Sequence, residues 1–93
     1  MVVKVNFRTQ VKAAAGVDSV KVELPVDSTF NDLMTEIQNK SIHNLNSILF
    51  DSESKVSRSL LFTINQSEQI RSEDNIGLND GDIISIFSPI SGG

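Results

Sequence analysis

The chain has 93 residues, 39% of them hydrophobic and 22% charged, a length that holds one core and a balance ordinary for a folded domain. Twelve acidic residues against eight basic ones leave a formal net charge of -4, which opposes a phosphate backbone at long range, so direct nucleic-acid binding is not expected and protein partners are. With no cysteine, disulfide frameworks, thiolate metal sites, iron-sulfur ligation and cysteine nucleophiles are all excluded.

From Val3 to Arg8 the residues alternate, with Val3, Val5 and Phe7 on one side and Lys4, Asn6 and Arg8 on the other, the period of a half-buried strand. The N-terminus enters this pattern directly, with no apolar run of signal-peptide or membrane-spanning length, and a cytoplasmic location is expected. Gln10 to Gly16 breaks the alternation, and Gly16 can supply a positive φ. Val17 to Leu24 then resumes it through Val20, Val22 and Leu24, so the two strands read as a hairpin. Pro25 removes a ladder donor, and Asp27-Ser28-Thr29 offers side-chain oxygens to the free amides that open a helix. Phe30, Leu33, Met34 and Ile37, spaced i, i+3, i+4, i+7, give that helix one apolar stripe to lay on a sheet. Ile42, Leu45, Ile48 and Leu49 extend the helical pattern among Asn and Ser residues that weaken it.

Asp51 to Ser59 is polar and Ser-rich and reads as a surface loop. Leu60 to Asn65 reads as a strand, Gln69 to Arg71 as a short edge strand, and Asp80-Gly81 as a turn. The stretch from Asp82 to Phe87, Ile-rich and apolar on both faces, has the character of a strand in the middle of a sheet, and Pro89 stops it. The order strand, strand, helix, strand, short strand, strand predicts an α+β fold of the beta-grasp (ubiquitin-like) type, a mixed sheet with one main helix across one face. Its first and last strands should lie parallel at the centre. The expected organisation is a domain over residues 1–87 followed by a flexible tail over 88–93 ending in Gly-Gly.

That tail, Ser88-Pro89-Ile90-Ser91-Gly92-Gly93, carries no bulky side chain near its tip. A carboxylate is activated on ATP only if it reaches the α-phosphate inside another protein, and two glycines make a chain thin enough for a narrow channel. Gly93 would attack through its carboxylate oxygen, after which AMP is a good leaving group for a sulfur nucleophile or an amine. A terminal Gly-Gly pair arises by chance in roughly 0.5% of sequences of ordinary composition, so the bland explanation is uncommon.

Leu78-Asn79-Asp80-Gly81-Asp82, then Ile83 to Phe87 and the tail, resembles the ending of ubiquitin-like sulfur carriers, most of all the small subunit of molybdopterin synthase. Leu60 to Gln66 resembles the strand before that family's edge segment, and Val3 to Phe7 with Gly16 also fit. The Phe-Ser-Pro ending departs at Ser88 from the commoner Phe-Pro-Pro form. The resemblance implies a carrier rather than an enzyme, with no bound cofactor. Gly93 would be activated by a ubiquitin-activating-type adenylating enzyme using ATP and magnesium. A sulfur donor protein would then form a C-terminal thiocarboxylate, which serves a sulfur-acceptor enzyme in molybdopterin synthesis or tRNA thiolation. The alternative that the family also contains is a protein modifier joined to target-protein lysines, and one chain can be both.

A partner would meet the open face of the sheet, where Ile83, Ser85 and Phe87 should stand beside Lys4, Asn6 and Arg8. Phe87 would be an exposed aromatic anchor at the base of a tail formed by Pro89, Ser91, Gly92 and Gly93, and its competing role is packing against neighbouring strand side chains. Lys4 and Arg8 would pair with acidic groups on the partner, although most surface charges are simply solvated. The lone histidine, His43, has no nearby carboxylate in sequence and reads as a helix-end surface residue. Asp80 and Asp82 flank a turn glycine and read as turn formers, so no metal site is expected. Lys4, Lys12, Lys21, Lys40 and Lys55 are unranked as conjugation sites.

Overall fold

The computed structural model describes residues 1–40, 45–53 and 55–88. Among the described residues nine elements follow one another: β1 (Val2–Arg8), α1 (Thr9–Ala15), β2 (Ser19–Glu23), α2 (Phe30–Lys40), α3 (Leu45–Leu49), β3 (Leu61–Ile64), β4 (Glu68–Ile70), a 3-10 turn (Ser72–Asp74) and β5 (Ile83–Phe87). The five strands form one sheet in the order β2-β1-β5-β3-β4. β5 is its central strand, parallel to β1 and antiparallel to β3, which accounts for the apolar character of Ile83 to Phe87 on both faces. This is the mixed beta-grasp sheet that the element order predicts.

Alternation decides which side chains enter the core. Val3, Val5 and Phe7 of β1, Val22 of β2, Phe62 of β3 and Ile84 and Ile86 of β5 all point to one side and are buried there. The stripe Phe30, Leu33, Met34 and Ile37 of α2 covers them, and Phe30 meets Phe62 edge to face with centroids 4.9 Å apart at 78°. Leu45 and Leu49 of α3 close one end of the same core; Ile42 and His43 lie outside the described residues.

α2 begins with a capping box. The Thr29 amide donates to Asp32 Oδ2 at 2.9 Å, and the Asp32 amide donates back to Thr29 Oγ1 at 3.4 Å, so Thr29 serves as the N-cap among the three candidates. The Asn31 amide, a further first-turn donor, finds Asn75 Oδ1 at 2.8 Å across the fold.

The segment between β1 and β2 corrects the sequence reading. Thr9 to Ala15 is a helix of about two turns rather than the loop of a hairpin, and it buries Val11, Ala14 and Ala15 against the core. Gly16 ends it with φ 76°, its amide donating to Lys12 O at 3.0 Å, a left-handed helix stop. The β1–β2 pairing survives this insertion, with Val3 opposite Val22 and Val5 opposite Val20.

Candidate functional site

On the face of the sheet away from α2, strand register sets the side chains in rows. Phe87 at the end of β5 stands between Arg8 of β1 and Leu61 of β3. One row back, Ser85 lies between Asn6 and Thr63, and the next row brings Ile83 beside Lys4, which itself faces Lys21 across the β1–β2 pair. Leu61 is 44% exposed, whereas Phe87 and Ile83 are half-buried. Phe87 is therefore less open than the sequence suggests, because it is packed into a row between two neighbours. Ser85 is 3% exposed and Asn6 4%, so Ser85 forms the floor of this face and offers little surface to a partner.

The accessible side chains of this face include an apolar strip, Phe87, Leu61 and Ile83, bordered on the β1 and β2 side by Lys4, Lys21 and Arg8, with Val2 and Glu23 one row further on. Lys4 and Lys21 directly opposite one another repel mildly, and their charges gather on one border of a chain that is acidic overall. Such a face suits a protein surface with an apolar centre and carboxylates beside it. Lys12 is engaged elsewhere, 2.8 Å from Asp18; its hydrogen bond and positive charge hold the exposed Asp18 carboxyl below the usual range.

The Phe87 and Leu61 end of the strip lies where β5 hands the chain on to Ser88. Ser88 is buried and tied to the start of α1. Its amide donates to Thr9 Oγ1 at 2.9 Å, its hydroxyl shares a 2.8 Å hydrogen bond with that of Thr9, and its Oγ accepts from the Gln10 amide at 3.1 Å. Thr9 Oγ1 also lies 2.6 Å from Arg8 O and 3.2 Å from Ser88 O, so its single proton has several acceptors to choose from. Thr9 holds φ at 55°, a conformation costly for a β-branched residue, on the order of 1–3 kcal/mol. Ser88 is thus part of the folded body. Pro89, Ser91, Gly92 and Gly93 lie outside the described residues.

The entry to β5 is organised by residues that sequence reasoning treated as turn formers. Asp80 Oδ1 accepts from the Val2 amide at 2.7 Å, and Asp82 Oδ2 accepts from the Asn79 amide at 2.8 Å. Asp82 Oδ1 takes the side-chain amide of Asn65 at 3.2 Å. These carboxylates hold backbone. Among the described residues no group of three or more His, Cys, Asp or Glu is placed to bind a metal ion, and no helix is long and apolar enough to cross a membrane. Thr9 and Asn65 are the residues that reading the sequence missed. A threonine directly after a strand is unremarkable locally, and its partner is 79 positions away.

Comparison with known proteins agrees with this geometry. The ThiS family model matches residues 5–93. No curated protein sequence gives a significant match. Among solved structures, the crystal structure of SAMP1 from Haloferax volcanii superposes with a TM-score of 0.87 at 20% identity, covering 100% of both chains. The small archaeal modifier protein 1 of Methanosarcina acetivorans gives a TM-score of 0.75 at 26% identity over 99% of this chain and 96% of that one. A putative molybdopterin converting factor, subunit 1, from Pyrococcus furiosus gives 0.69 at 25% identity over 97% and 99%.

Proposed function

This chain belongs to the ThiS family of ubiquitin-like proteins, and from that premise we propose that it is a sulfur carrier whose working group is the Gly93 carboxylate. A carboxylate oxygen of Gly93 attacks the α-phosphorus of ATP on an adenylating enzyme of the ubiquitin-activating type, with magnesium balancing the phosphate charge. A phosphorus-oxygen bond forms and pyrophosphate leaves. Hydrosulfide delivered by a donor protein then attacks the acyl adenylate at its carbonyl carbon, the carbon-oxygen bond to AMP breaks with its electron pair leaving on AMP, the sulfur loses its proton to solvent, and the product is a C-terminal thiocarboxylate. In this reading the chain supplies the carboxylate and a surface for the enzyme to hold, and the chemistry is done by its partners. The thiocarboxylate would serve sulfur insertion into molybdopterin or transfer-RNA.

The observation that carries this reading is the family match running from the first strand through Gly92-Gly93, a pair that begins five positions after Phe87, the last residue of the central strand. The strip Phe87, Leu61 and Ile83 with its border Lys4, Lys21 and Arg8 is the docking face we assign to the adenylating enzyme. A second reading is favoured by the likeness to the Methanosarcina small archaeal modifier protein: the same acyl adenylate, attacked by a lysine amine, gives an isopeptide bond to a target protein. Both readings require the same first step. Incubation with ATP, magnesium and the adenylating enzyme of the same cell should give pyrophosphate exchange that is lost when Gly92-Gly93 is deleted. Exchange that survives the deletion sinks both.

A further inference from the structure

The sequence separates a domain from a tail at Phe87, yet the structure fastens the next residue to the corner that follows the neighbouring strand β1. Ser88 spends its amide on Thr9 Oγ1 and its hydroxyl on Thr9 Oγ1 and the Gln10 amide, and it is 8% exposed. Two chain positions separated by 79 residues are therefore joined side by side, one at the exit of β5 and one at the corner between β1 and α1. The corner is itself unusual. Thr9 sits at φ 55°, where a β-branched side chain is disfavoured, and this backbone places its hydroxyl against Ser88. Strain of this kind persists only where surrounding contacts over-determine it, and here three of the hydrogen bonds at Thr9 Oγ1 are made with Ser88, beside one to Arg8 O.

We propose that Thr9 and Ser88 form a clamp that fixes the point at which residues 89–93 leave the body, and that Thr9 is a positioning residue for delivering the Gly93 carboxylate. The inference rests on the carrier reading given above. Five residues span at most about 17 Å when extended, which bounds how far from Ser88 the carboxylate can act. The position and direction set at Ser88 decide where that reach is used. An unfastened Ser88 adds a residue to the stretch that must be ordered each time the tail enters an active site. The clamp therefore acts on productive docking and not on the chemistry at the carbonyl.

The test compares Thr9→Gly, Thr9→Ser and Ser88→Ala with the wild-type chain. Glycine accepts the positive φ without strain, so Thr9→Gly removes the hydroxyl without forcing the corner to rearrange. Two quantities are read: amide hydrogen exchange at Ser88 in the free protein, and KM against kcat for the carrier in ATP-pyrophosphate exchange with the adenylating enzyme of the same cell. Thr9→Gly should lose protection at Ser88 and raise KM about tenfold, the equivalent of ordering one further residue, with kcat within about twofold of wild type. Thr9→Ser should restore both, and Ser88→Ala, which keeps its amide donor, should fall between. Unchanged protection at Ser88 in Thr9→Gly overturns the clamp. Lost protection with KM unmoved overturns its positioning role. If the carrier reading itself is wrong, the wild-type chain gives no exchange either, and the positioning role falls with it; the clamp's geometry is still decided by protection at Ser88.

Discussion

Asn65 and Asp82 are joined side chain to side chain, Nδ2 of the first donating to Oδ1 of the second at 3.2 Å, and this pair sets where the central strand begins. Asn65 also accepts from the Ile83 amide through its Oδ1 at 2.9 Å, while its own amide donates to Ile83 O at 2.7 Å. A side chain at the end of β3 thus continues the β3–β5 ladder past the last backbone pair. Asn65 does this at φ 52°, a left-handed conformation that asparagine tolerates and that the tight turn into β4 requires.

Replacing Asn65 by Ala removes both side-chain hydrogen bonds and places a Cβ-only residue at a positive φ. The expected cost is about 2 kcal/mol of unfolding free energy, measured by urea denaturation, because Asp82 is buried and loses a partner. Asn65→Asp should be worse than Asn65→Gly, since it faces the Asp82 carboxylate with a second one.

Thr29→Ala should cost about 1 kcal/mol by opening the capping box on α2, with the loss visible as faster amide exchange at Asp32. Thr29→Ser, which keeps the acceptor, should lie within a few tenths of a kcal/mol of wild type.

Truncation on the two faces of the sheet should separate stability from recognition. Ile86→Ala, in the core, is expected to cost about 2–5 kcal/mol in unfolding free energy. Leu61→Ser, at an exposed position on the opposite face, should leave stability within about 1 kcal/mol while raising KM for the adenylating enzyme severalfold, as the loss of part of an apolar docking strip would. Equal KM for wild type and Leu61→Ser would move the docking surface elsewhere.

The fold was legible where burial repeats with a short period. Val3, Val5 and Phe7 announce a half-buried strand, Phe30 to Ile37 a helix stripe, and the doubly apolar Ile83 to Phe87 a central strand, because each pattern is local and repeated. α1 was not legible. Val11, Ala14 and Ala15 do have helical spacing, but a seven-residue element between two strands carries too few apolar positions to outweigh the expectation of a turn, and Gly16 fits either a helix stop or a loop. On the open face the alternation correctly oriented Ser85 and Phe87 but not their depth, which depends on Asn6, Thr63, Arg8 and Leu61 arriving from other strands. The departure at Ser88 from the Phe-Pro-Pro form has a physical account only in three dimensions: a proline there has no N–H to give Thr9.

The most direct measurement of the central claim is the intact mass of the protein isolated from its own cells, taken before and after alkylation with iodoacetamide. The chain contains no cysteine, so a thiol-directed reagent has no side-chain thiol to modify. We predict a species heavier by the exchange of one oxygen for sulfur, which takes up one alkyl group and is absent when Gly93 is deleted. A single unmodified mass, inert to the reagent and unaccompanied by conjugates bearing a Gly-Gly remnant on lysine, would contradict it.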